Sequence, residues 1–327
     1  MNTIRIGLLM LTICSLLGCG SDDDAAPSPA QSSTPTSALA YVGLFGDNAL
    51  GIVDVGAGKV LATIPVTAPD GMAITPDGAK VYVSSNDSGS VAVIDTAARR
   101  LSTTIAVGAQ PSGMVATSDG KYVIVAVQGE GEAVIVDTAT DAVLARAAVG
   151  KAHSATMNPD GSLAFVASQA QAAPGIQGID VPSGAPSMLF PLDAAPRALA
   201  DVQGKLYATE VGSADVEVLD ATSGDKLAAV TTGGSPHDVR PTRDGAAVLT
   251  VSQTAGELDF IDPASSTIVA RVATGTLPHW IAPATDGRGV YVTNEGDDNL
   301  VVVDVVTHAV TKTLSLGKAP RKIVVQP

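Results

Sequence analysis

From about residue 40 to the end of the chain, short runs of alternating apolar and polar residues recur, four to a unit and divided by turns. In one unit the runs are Gly71 to Thr75, Lys80 to Ser84, Val91 to Asp95 and Leu101 to Val107, with Val, Ile and Thr at period two, and this predicts strands. Apolar runs closing on an acid recur at Asp54, Asp95, Asp137, Asp180, Asp220, Asp262 and Asp304, with separations of 41, 42, 43, 40, 42 and 42 residues. A second landmark lies 18 residues before the acid at Asp77-Gly78, Asp119-Gly120, Asp244-Gly245 and Asp286-Gly287. In the remaining units it is Asp160-Gly161, 20 residues before, and the degenerate Gln203-Gly204. Asp-Gly between alternating runs predicts a tight hairpin, because the turn needs positive φ at its centre. Asp141 to Val149 has the Ala, Leu and Arg content of a helix, but its register with Lys59 to Val66 and Val310 to Leu316 assigns it to a strand.

A four-stranded unit with a period of about 40–45 residues predicts a β-propeller, and seven acids predict seven blades. Tyr41 to Val66 supplies three strands without an innermost one, and Arg321 to Pro327 supplies an innermost strand alone. Joined in one blade they close the ring and remove its open edges. The fold class is therefore all-β, a seven-bladed propeller of four-stranded antiparallel blades. Asp77-Gly78-Ala79-Lys80-Val81-Tyr82-Val83-Ser84 and Asp286-Gly287-Arg288-Gly289-Val290-Tyr291-Val292-Thr293-Asn294 lead into Val91-Ala92-Val93-Ile94-Asp95 and Leu300-Val301-Val302-Val303-Asp304. These segments resemble the YVTN-type β-propeller repeat, over essentially residues 40–327. The resemblance implies an exported protein built round a central channel, in a functionally diverse family, so it carries no activity with it. Propellers that are rich in Trp are not matched, since Trp280 is the only one.

Arg5 and the apolar stretch Ile6 to Leu17 have the length of a secretory signal and are too short to span a bilayer. The stretch closes on Leu16-Leu17-Gly18-Cys19, which resembles the bacterial lipobox. That resemblance implies cleavage before Cys19 and lipidation of it, and Cys14 would leave with the signal, so that Cys19 has no disulfide partner. The predicted organisation is a lipoprotein signal peptide at 1–18, a lipidated Cys with a flexible tether at 19–39, and the propeller at 40–327. Gly20, rather than Asp, follows the Cys, which favours the outer membrane or the cell surface over the inner membrane.

The chain of 327 residues carries 19 Lys and Arg against 33 Asp and Glu, a net charge of −14, which excludes a basic footprint for nucleic acid. No Gly-x-Ser-x-Gly elbow, His-Glu-x-x-His helix, phosphate-binding loop or Cys-x-x-Cys-His haem motif occurs. The motif-coded enzymes are thereby excluded. Ser154 and Ser235 adjoin histidines, with no orienting acid assignable to them. Tyr82, Tyr207 and Tyr291 share one register and read as packing between blades.

One register does point to chemistry. The connections into the innermost strands align as Pro69-Asp70, Pro111-Ser112, Ala152-His153, Pro196-Arg197, Pro236-His237, Pro278-His279 and Pro320-Arg321, all on one face of the ring. Three of the four histidines fall in it, an outcome with random odds of roughly 2 in 1,000 once about 42 registers are allowed. His308 falls on the other face. Three readings follow: the imidazoles cap turns or bond neighbouring blades; they hold a transition metal (Cu, Zn or Fe) as His153, His237 and His279 with Glu210 and Glu295; or they line a polar mouth. In the last reading Asp70, Ser112, His153, Arg197, His237, His279, Trp280 and Arg321 receive a small ligand, with the arginines offering forked donors. Arg197 beside a metal cation would be repulsive without a bridging anion, which favours the ligand. The expectation is an envelope-anchored binding module for a small ligand or an envelope protein, monomeric and without nucleic acid as a partner. The alternative is a metal- or cofactor-dependent enzyme or redox accessory.

Overall fold

The computed structural model describes residues 38–327. Within them 28 strands form seven four-stranded antiparallel sheets arranged as the blades of a propeller, with each sheet running outward from the axis in chain order. The closing blade is the exception. Its innermost strand is Pro320–Val325, followed outward by Leu39–Leu44, Ala49–Asp54 and Lys59–Pro65, with Ala40 opposite Val325, Tyr41 opposite Val324 and Val42 opposite Ile323. The expected closure by strands from both ends of the repeat region is therefore present. Ala142–Ala148 is a strand, as its register requires.

Alternation explains why the ring holds together. Successive side chains on a strand point to opposite faces, so Tyr41, Ile52 and Ile64 pack against the following blade while Ala40, Val42 and Val53 pack against the preceding one. The buried residues form seven clusters, each shared by two adjacent blades. Every Val or Ile so placed contributes about 1.5–3 kcal/mol relative to exposure, so no blade is stable with one face open. Polar clamps add to this: Tyr82 Oη and Lys80 Nζ both donate to Asp141 on the next blade, at 2.6 and 2.7 Å.

The two sequence landmarks are turn devices. At the ends of the third strands Asp95, Asp137, Asp220, Asp262 and Asp304 accept backbone N–H groups two or three residues on, which fixes the turn into the outer strand. These hydrogen bonds hold the Asp137, Asp220 and Asp304 carboxyls below the usual range. The Asp-Gly turns place Gly78, Gly120, Gly245 and Gly287 at φ of 70°, 72°, 68° and 71°, where a side chain is disfavoured.

Each innermost strand begins with an irregularity that determines the site. Pairing with the second strand shifts between Pro69 and Met72, Pro111 and Met114, Ala152 and Ala155, Pro196 and Leu199, Pro236 and Val239, Pro278 and Trp280, and Pro320 and Ile323. These are β-bulges, which re-aim side chains. The amide N–H groups they free are satisfied by hydroxyls of the second strand: Gly71 N donates to Ser84, Ala198 N to Thr209 and Trp280 N to Thr293. Gly71 is obligatory here, because a Cβ would collide with the Ser112 carbonyl of the next innermost strand.

Candidate functional site

The seven bulges meet at one end of the axis around a cavity of about 450 Å³. Asp70, Ser112, His153, Arg197, His237, His279, Trp280, Glu295 and Arg321 all line it, and between them they come from all seven blades. Glu210 does not. It occupies the register of Asn294, opposite the proline of the innermost strand, whereas Glu295 stands one residue further on, beyond the strand end. One step along a strand reverses the side-chain direction, so Glu210 turns into its own blade, where burial first and its neighbour Glu217 next raise its proton affinity. The residue of this blade in the register of Glu295 is Val211. Cys19 lies outside the described residues. His308 is exposed on the opposite face and sets its ring edge against Phe260, with centroids 4.6 Å apart.

The tautomers of His153 and His237 are set by hydrogen bonds. His153 Nδ1 lies 2.9 Å from the Arg197 carbonyl and His237 Nδ1 lies 3.1 Å from the His279 carbonyl. A carbonyl only accepts, so both Nδ1 atoms carry the proton and both Nε2 atoms keep a lone pair. These bonds join neighbouring blades, as the first of the three readings requires for His153 and His237. The His279 ring lies 4.1 Å from that of His237, and its Nε2 is 3.5 Å from Glu295. Burial pushes all three imidazoles below their ordinary pKa, and for His237 and His279 the neighbouring Arg197 and the histidine opposite add to the effect.

The metal set is not assembled. Among the described residues no group of three or more His, Cys, Asp and Glu side chains is gathered to hold an ion. His153 is directed to the Arg197 carbonyl, Glu210 faces another way, and only His237, His279 and Glu295 are neighbours.

The charges of the mouth are unequally partnered. Arg321 donates from Nε and Nη2 to Glu295 Oε1 at 3.1 and 3.0 Å and stacks on Phe45 at 3.5 Å. Asp70 accepts from Ser112 at 2.9 Å. The Arg197 guanidinium is half-buried and has no hydrogen bond or ion pair among the described residues. Ser154 Oγ and His279 Nδ1 are buried and have no partner either. Polar atoms left open in this way are the means by which a preformed site recognises a ligand. Ser154 Oγ bonds no base among the described residues.

Sequence reasoning missed Lys322 on the cavity floor, with Asn86, Gln128 and Gln253 in the wall. Gln128, Gln169 and Gln253 repeat at the end of the second strand, directly after its last residue, and that signal was readable. Lys322 was not readable, because strict alternation sends it away from Arg321; the bulge lets consecutive residues reach the axis. Its ammonium lies 2.8 Å from the centroid of the Trp280 ring.

A family model described as a YNCE-like beta-propeller matches residues 138–326. The chain belongs to this family. The YNCE-like propeller also has solved structural relatives. A functionally unknown protein from Desulfotomaculum acetoxidans superposes with a TM-score of 0.75 at 14% identity, covering 88% of this chain and 99% of that one. A putative 6-phosphogluconolactonase from Bacteroides fragilis gives 0.73 at 16%, covering 90% and 99%. The periplasmic gluconolactonase of Pseudomonas aeruginosa gives 0.70 at 18%, covering 89% and 99%. At these identities the likeness establishes the fold alone. No curated protein sequence matches the chain.

Proposed function

We propose that this propeller is a binding module for a small organic anion, received in the axial cavity. One observation carries the reading: Arg197, half-buried at the mouth of a protein of net charge −14, has no anionic partner among the described residues. A carboxylate takes two parallel hydrogen bonds from a guanidinium. The three imidazoles give the site a pH response. A bound anion favours the protonated ring, so binding takes up protons and tightens as pH falls. Two of the structural relatives are named for gluconolactone or its 6-phosphate, which are oxygen-rich molecules of a size that such a cavity holds.

Trp280 is the only tryptophan and lies in the cavity wall, so its fluorescence reports occupancy directly. Titration with succinate or gluconate is expected to give a saturable change, tighter at pH 6 than at pH 8. Arg197→Gln is expected to weaken it by about tenfold or more, the loss of a charge-assisted hydrogen bond being worth ~1.5–3 kcal/mol. No saturable change with either acid, or equal affinity in the variant, overturns the reading.

The same proposal keeps the module on the cell envelope through Cys19. Cys19→Ser is expected to move the protein from the membrane fraction to the soluble one after cell lysis. Retention with the membranes would count against the anchor.

A further inference from the structure

The residues that follow the mouth register are Gly71, Gly113, Ser154, Ala198, Asp238, Trp280 and Lys322. Four of them are small, and the space this leaves at the axis is occupied from the other three blades. Asp238 Oδ2 accepts from the Ile281 amide at 3.1 Å, and Arg240 lies 3.4 Å from the Asp238 carboxylate and 4.7 Å from the Trp280 ring. Lys322 lies on the same indole and opens on the cavity. Its position is unlike that of the other lysines. Lys80, Lys121, Lys205, Lys226 and Lys312 each give their ammonium to a carboxylate or a backbone carbonyl, and Lys59, Lys151 and Lys318 are exposed to water. Lys322 is 5% exposed and has no hydrogen bond or ion pair from Nζ among the described residues.

An amine without an acceptor, enclosed beside another cation and open to a cavity, is arranged as a nucleophile rather than as a point charge. We propose that Lys322 captures the carbonyl group of a small oxo acid as an imine, while Arg197 holds the carboxylate of the same molecule. This rests on the anion reading of the cavity and names the class of ligand within it. The neutral amine adds to the carbonyl carbon, forming the C–N bond, and the C=O π pair becomes an oxyanion. Transfer of one proton from nitrogen to that oxygen gives the carbinolamine. Loss of water with the second nitrogen proton leaves C=N, so amine and carbonyl become imine and water with no change of oxidation state. The Nε2 lone pairs of His153 and His237, left open by their Nδ1–H bonds, line the same cavity and can carry the proton. Burial, with Arg240 next and against the opposing pull of the Asp238 and Asp70 carboxyls, lowers the Lys322 ammonium to about 7, so that a large share of the amine is neutral at ordinary pH.

The test is reductive trapping on the full chain. Pyruvate or 2-oxoglutarate with cyanoborohydride at pH 8 is expected to fix one adduct per molecule. Peptide mapping is expected to place it at Lys322, at a rate about tenfold or more above any other lysine, an unperturbed amine near 10.4 being almost wholly protonated at that pH. The rate is expected to rise from pH 6 to pH 8, opposite to the trend of anion affinity. Excess succinate, which has an acid but no carbonyl, is expected to suppress the adduct, and Lys322→Arg is expected to abolish it while the remaining lysines label as before. Labelling spread evenly over exposed lysines overturns the inference. Succinate binding without an adduct at Lys322 overturns it too but leaves the anion reading standing; absence of succinate binding removes both.

Discussion

Burial beside Glu217 raises the carboxyl of Glu210 to about 7, from an ordinary 4.5. The folded chain thus holds this proton more tightly than the unfolded chain does. Stability is lost as pH rises from near 4.5 to near 7, and stays lost above it. Glu210→Gln keeps the shape and removes the ionisation. Its melting temperature is therefore expected to exceed that of the parent at pH 8, with the difference vanishing near pH 4; a lower value at pH 8 would contradict the assignment. The same residue marks what sequence could offer at this scale. Glu210 and Glu295 both stand at the ends of second strands, and a difference of one position separates a blade interior from the mouth. Arg197 and the three histidines were legible because the mouth register repeats. Lys322 was not, since its direction comes from the distortion of a strand and not from its period.

At the level of elements the repeat was legible almost residue for residue. The acid landmark ends the third strand in all seven blades, because a short carboxylate can hold the turn that follows. Asp141 to Val149 was resolved by register against its own helical composition, and the packing against neighbouring blades explains why register prevails. The last strand makes the strongest demand. Pro320–Val325 supplies the inner edge of the closing blade, and Ile323 enters the cluster shared with the preceding blade. Deletion of residues 321–327 leaves the edge of Leu39–Leu44 unpaired and is expected to yield aggregated or unfolded protein, read by size-exclusion chromatography and circular dichroism. A folded monomer of that truncation would show that closure by the terminal strand is dispensable.

For the whole molecule, ring closure converts a one-dimensional repeat into a single site. Seven bulges that lie about 42 residues apart in sequence face one axis, and the unpartnered Arg197 there contrasts with the acidic chain that carries it. The number of blades, the order of strands, the means of closure and the face that carries the polar register were determined by the sequence alone, because period and turn chemistry are local properties that repeat. The tertiary structure decided which charges are spent on one another and which remain open. Arg321 is taken by Glu295, while Arg197 and Lys322 are left to the cavity. Those pairings join neighbouring blades, and they depend on side-chain directions set by bulges and by the space small neighbours leave, neither of which a linear pattern encodes.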